Sequence, residues 1–184
     1  VVASSVPLGS GLSSSAAVEV AVATMLETAS GSRLHVLEKA QLCQRAEHAF
    51  AGVPCGIMDM LTSAAGQAGH ALLIDCEANE WQAVPVPREV AIVVFNSNVR
   101  HSLAGGEYAK RRASCESAAR KLGVPSLRHA DIGMLDDQLT DDEQSNAKHV
   151  IAENKRTLAA AEAMRRGDVS ALGPLLAASH ASLR

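Results

Sequence analysis

Apolar residues recur at helical spacing from Leu12 to about Ala29, at Leu12, Ala16, Val20 and Ala23, with Glu19 standing in the same series. Gly31 ends that pattern. A second helical stretch runs from about Leu34 to Phe50, with Leu34, Leu37, Leu42 and Ala46 on its apolar side. Gly52-Val53-Pro54-Cys55-Gly56 breaks it, and a short third helix starts near Ile57 and stops before Gly66. Ahead of all three, the apolar run Val1 to Val6 predicts a buried strand. The period then changes to that of strands, at Ala71–Asp75, about Trp81–Val84 and Val90–Asn96. Pro85 and Pro87 bar a central strand between the last two. Helical patterns return near Glu107–Leu122, Asp141–Arg166 and Asp168–His180, divided by Gly123-Val124-Pro125 and Gly167. Asp168 is placed to cap the last helix. Helices gathered around a few strands, with no internal repeat, predict an α+β fold.

Composition says what fills the core and which partners to set aside. Of 184 residues, 47% are apolar but only 2% aromatic, so the core is expected to be built from Ala, Val, Leu and Ile. A net charge of −3 argues against nucleic acid or an anionic membrane as the main partner. Cysteines 43, 55, 76 and 115 are scattered without a C-x-x-C pair, which fits a reducing, cytoplasmic compartment better than a disulfide frame or zinc site. No run of about 18 apolar residues predicts a membrane span, and no signal peptide is visible. The abrupt start on Val-Val-Ala-Ser-Ser reads as a piece of a longer protein.

The chemistry concentrates first in Pro7-Leu8-Gly9-Ser10-Gly11-Leu12-Ser13-Ser14-Ser15-Ala16. Gly9 and Gly11 permit a tight turn with close backbone approach to a ligand. The helix behind them turns its unsatisfied N–H groups and positive dipole end to the same spot, where Ser13, Ser14 and Ser15 add hydroxyls. Together these suit a polyphosphate; the plainer alternative is a turn followed by a serine-capped helix. The stretch is neither a Walker A loop, lacking Gly-Lys-Ser/Thr, nor a dinucleotide fingerprint, since position 14 is Ser rather than Gly. Asp59, between Met58 and Met60 at a helix start, can accept a proton from a hydroxyl or serve simply as a first-turn charge. By themselves Glu47 reads as a solvated helix face and Tyr108, the only tyrosine, as a half-buried helix-start ring. His48, His70, His101 and His180 lack metal-binding spacing and read as structural or surface imidazoles. Arg100, Arg111 and Arg112 read as solvated charge, and Asp136-Asp137 with Asp141-Asp142-Glu143 as a loop and a helix N-terminus.

The stretch at 7–16 resembles the nucleotide-binding motif of the GHMP small-molecule kinases, and further words narrow the resemblance to the galactokinase family. They are VPLGSGLSSSA at 6–16, QRAEHAFAGVPCGIMD at 44–59, GQAGHALLIDC at 66–76, NSNVRHSL at 96–103 and SHASLR at 179–184, in family order along the whole chain. The resemblance implies a partial two-lobed fold with helices packed on mixed or antiparallel strands. Residues 1–85 would be the end of the N-terminal lobe and 86–184 the start of the C-terminal lobe. It implies phosphoryl transfer from ATP to the C1 hydroxyl of α-D-galactose, with magnesium, by a monomer. In that reading Asp59 is the proton acceptor, and Gly9, Gly11, Ser13, Ser14 and Ser15 hold the nucleotide phosphates. Ser15 and Glu47 hold the metal; Gly56, Asp59 and Tyr108 meet the sugar. The family's upstream Arg and Glu-His-x-Asp motif and its downstream Gly-rich motif are not in these 184 residues, so the excerpt alone is expected to be inactive. Two departures stand out: Met60 where the family usually has Gln, and Gly105-Gly106 where it often has Ser-Ser or Asp-Ser. Rival expectations are a related N-acetylgalactosamine kinase, or a sugar and ATP sensor acting through protein partners. Ser13-Ser14-Ser15-Ala16 carries no insertion of the kind that spoils catalysis in such sensors.

Overall fold

The computed structural model describes residues 1–7, 9–96 and 106–184. Leu8, most of the word at 96–103 with Arg100 and His101, and Gly105 lie outside the described residues. Helices and one small antiparallel sheet make an α+β chain, as the change of period predicts. Two compact units emerge: Val1–Pro85 with the residues from Ala91 to Asn96, and Val86–Val90 with the residues from Gly106 to Arg184.

In the first unit, α1 (Ser14–Ser30), α2 (Val36–Ala46) and α3 (Met58–Ala65) pack on one another through small and medium apolar side chains. Ala16 and Val20 of α1, Ala40 and Cys43 of α2, and Ile57, Met60 and Leu61 at α3 form the core. Leu61 is fully enclosed and Met60 nearly so, each stabilising the unit by roughly 1.5–3 kcal/mol through the area it withdraws from water. Polar groups fix how α1 lies on α2. Glu27 of α1 accepts from the Leu34 N–H at 2.7 Å and pairs with Lys39 of α2 at 2.6 Å. His35 and Glu38 close a reciprocal cap at the start of α2.

The hairpin β1 (His70–Asp75) and β2 (Glu80–Pro85) runs from His70 opposite Pro85 to Asp75 opposite Glu80. Asp75 Oδ1 accepts from the N–H groups of Glu77 and Ala78, holding the turn. Ile74 and Trp81, opposite one another, lay the hairpin against the helical core.

Two strand expectations fail. Val1–Val6 forms no strand, and Val1 and Val2 are exposed; Val90–Asn96 forms none either, and Ile92 to Phe95 are exposed. Apolar runs become strands only where a neighbour takes their backbone N–H and C=O groups. Among the described residues β1 and β2 pair only with each other. The second helix also departs from its pattern: after Ala46 it widens into a π turn, Glu47–Ala51, closed by Gly52 at φ 68°. The wider turn leaves Glu47 buried and Phe50 exposed.

The second unit holds α4 (Glu107–Lys121), α5 (Asp141–Arg165) and α6 (Val169–Leu183), with short 3₁₀ turns at Leu127–His129 and Ile132–Met134. Ala118, Ala119, Leu127, Ala130, Leu139, Ala147 and Ile151 make its core. Glu143 ties it together. Its carboxylate accepts from the Thr140 N–H at 2.8 Å while Thr140 Oγ1 accepts from its own N–H, and it pairs with Lys121 of α4 at 2.6 Å. Asp168 caps α6 through the Ala171 N–H, as expected.

Candidate active site

The loop ahead of α1 owes its shape to backbone conformation. Gly9 and Gly11 take φ of 68° and 76°, and a Cβ at either would meet nothing within 4 Å. Glycine is therefore required there by the left-handed backbone and not by crowding. Ser10 Oγ donates to the Pro7 carbonyl at 2.8 Å, bracing the turn. Ser13, at the N-cap, is also left-handed (φ 52°) and its side chain makes no cap hydrogen bond. The plain capping alternative is thus not how Ser13 is used. No acidic residue stands in the first turn of α1, so the positive end of its dipole keeps no carboxylate of its own helix. Ser13 and Ser14 are half-buried and Ser15 is exposed.

Carboxylates gather where α1 meets the π turn. The π turn carries Glu47 inward until only 6% of it is exposed. What its carboxyl faces is the carboxyl of Glu19, from α1. Glu19 Oε2 is buried and meets no donor. Burial first, then the hydrogen bond and charge of Glu47, push Glu19 up to about 7. Two carboxylates so close do not both ionise comfortably unless a proton or a cation lies between them. Asp59, half-buried in the first turn of α3, stands near the same place. The Cys55 thiol is pushed up by burial first, then by the charges of Glu47, Asp59 and Glu19, so three carboxylates from three helical segments act on one sulfur.

Glu19 is the residue that sequence reasoning passed over. The signal was a charged side chain inside an apolar series, four residues after Ser15 and so on the same helix face. Among the described residues no three His, Cys, Asp or Glu side chains converge as a complete metal cage. An orphaned buried carboxylate oxygen beside a second buried carboxyl nevertheless fits a hard divalent cation, and magnesium takes few protein ligands, leaving the rest to phosphate and water. Tyr108 belongs to the second unit, where it is exposed in the first turn of α4 behind the left-handed Gly106.

Residues 1–67 match the family described as GHMP kinases N terminal domain. Within that family the proteins the chain is similar to are galactokinases. It is 51% identical to the galactokinase of Bos taurus and 50% identical to that of Homo sapiens, in each case over 100% of this chain and 48% of the relative. The galactokinase of Chloroflexus aurantiacus is 50% identical over 98% of this chain and 48% of its own length. The crystal structure of Lactococcus lactis galactokinase complexed with galactose matches with a TM-score of 0.88 at 32% identity, over 97% of this chain and 48% of that one. The chain thus spans about half the length of the curated relatives it matches.

Proposed function

We propose that the protein to which this chain belongs transfers the terminal phosphoryl group of ATP to the C1 hydroxyl of α-D-galactose, giving galactose 1-phosphate and ADP. One observation carries the reading: buried Glu47 faces Glu19, whose Oε2 meets no donor, in the same unit as a left-handed Gly9/Gly11 turn opening a helix. The likeness to galactokinases over the whole chain supports the choice of substrates.

Phosphoryl transfer asks the protein mainly for alignment, charge neutralisation and a place for the hydroxyl proton. Backbone N–H groups at Gly9 and Gly11, the start of α1 and the hydroxyls of Ser13, Ser14 and Ser15 hold the phosphates. Asp59 accepts the C1 hydroxyl proton as the sugar oxygen bonds to the terminal phosphorus and the bridging bond to ADP breaks. Gly56, bare of side chain, admits the sugar close to the backbone. Glu47 and Ser15 would hold magnesium, with the carboxylate of Glu19 beside Glu47; a cation held there would supply charge neutralisation to the phosphates.

The enzyme is read as a cytoplasmic monomer acting on small molecules, without nucleic acid or membrane. A net charge of −3 supports the part of this that sets aside nucleic acid and anionic membranes. The test is ADP release by the full protein with galactose and with N-acetylgalactosamine. Turnover with galactose that nearly vanishes in Asp59→Asn, while ATP still binds, is the expected result. Wild-type rate in that variant removes Asp59 from the mechanism, and preference for N-acetylgalactosamine replaces the substrate.

A further inference from the structure

Four residues before Asp59, one backbone carbonyl is gripped twice. The oxygen of Cys55 accepts from Gln44 Nε2 at 3.2 Å and bonds His48 Nε2 at 2.9 Å. A carbonyl oxygen only accepts, so this imidazole nitrogen must carry its proton, and the two donors together fill both lone pairs. Gln44 lies on α2 and His48 on the π turn, four residues apart and so on one side of the helix, flanking the inward Glu47. The same loop is tightened from within, since the Cys55 N–H donates to the Val53 carbonyl at 2.8 Å across Pro54. Beyond it, Ile57 is buried in the core and its carbonyl starts α3 by accepting from the Leu61 N–H at 2.9 Å. Between the gripped carbonyl and that anchor stands only Gly56, the residue with the widest backbone freedom.

We propose that Gln44 and His48 are positioning residues for the phosphoryl transfer proposed above. They clamp the Cys55 carbonyl so that Gly56 cannot swing and the start of α3 presents Asp59 at one fixed place. The clamp rests on that functional reading only for its effect on rate; its effect on the backbone stands by itself. A misplacement of about 1 Å costs on the order of a hundredfold in rate even when the reacting groups are intact. Each donor lost leaves the carbonyl half satisfied, while loss of both leaves the loop ungripped.

The experiment compares Gln44→Ala, His48→Ala, the double variant and His48→Gln in the full protein, beside Asp59→Asn. His48→Gln keeps an N–H donor able to reach the same oxygen. The expected result is a fall in kcat of about tenfold in each single alanine variant and about a hundredfold in the double. KM for galactose rises, the Kd for ATP is unchanged, and His48→Gln recovers most of the loss. Amide hydrogen exchange at residues 56–60, read without substrate, quickens in the double variant. If the double variant does not fold, the single variants and His48→Gln decide alone. Wild-type kcat and wild-type exchange overturn the clamp, as does an equal loss in His48→Gln and His48→Ala. If Asp59→Asn keeps full turnover while exchange still quickens, the clamp holds the loop and it is the catalytic assignment that fails.

Discussion

Glu19 shows how much one side chain can change the account of a site. A glutamate on an ordinary amphipathic helix faces water, and Glu47 reads the same way until the π turn rotates it inward. Buried together, the two carboxyls need something positive between them. Glu47→Ala is expected to raise the magnesium requirement about tenfold or more, and Glu19→Gln several-fold, consistent with the usual cost of losing metal-site partners. Magnesium titrations of turnover, together with manganese binding followed by electron paramagnetic resonance, check both; unchanged binding in Glu19→Gln would leave it a structural acid. At the Gly9–Gly11 turn the governing fact is a backbone angle. Gly11→Ala meets no atom but must hold φ near 76°, so a loss of about 1 kcal/mol in stability is expected, together with weaker ATP binding. Chemical denaturation and nucleotide titration measure the two effects separately.

Among the elements, α3 is short, yet its buried side chains hold the residue proposed as the proton acceptor. Leu61 is completely enclosed and lies two residues after Asp59. Leu61→Ala is expected to cost about 2–5 kcal/mol, since a cavity adds to the lost transfer energy. Thermal unfolding of the variant reads this directly, and an effect near zero would mean that the site collapses freely. In the second unit the contact of α4 with α5 depends on charge. Lys121, with Ser117 and the Thr140 N–H, holds the Glu143 carboxyl down at about 2, against an ordinary value near 4.5. A carboxyl depressed on folding adds stability that is complete above its unfolded value and lost as pH falls through the folded one. This unit is therefore expected to weaken from about pH 4.5 down to about pH 2. Glu143→Gln should flatten that dependence in an acid titration followed by circular dichroism. An identical profile would place the acid sensitivity elsewhere.

At the scale of the molecule, the first unit leaves large apolar side chains in water. Phe50 is 92% exposed and Phe95 89%, with Ile92, Met25 and Leu26 also well out. Isolated apolar residues on a surface are ordinary, but this many in one unit is a liability for a chain by itself. Prepared as 184 residues, the chain is expected to self-associate and to bind a hydrophobic dye more strongly than the full protein does. Size-exclusion chromatography and dye fluorescence test this. It should also fail to phosphorylate galactose, since it spans about half the length of the galactokinases it resembles.

The amino-acid order alone was enough for the six α-helices among the described residues, for the two strand stretches β1 and β2 and for the Asp168 cap, because periodicity, glycine punctuation and capping chemistry are local properties. It also placed Gly9 and Gly11 where the backbone turns left-handed. It could not tell whether Val1–Val6 and Val90–Asn96 would be strands, because a strand exists only through hydrogen bonds to a distant partner. Nor could it turn Glu47 inward, set Glu19 against it, or bring Gln44 and His48 onto one carbonyl. Those depend on a single widened helical turn and on how three helices pack, and packing joins residues that sequence spacing leaves unrelated.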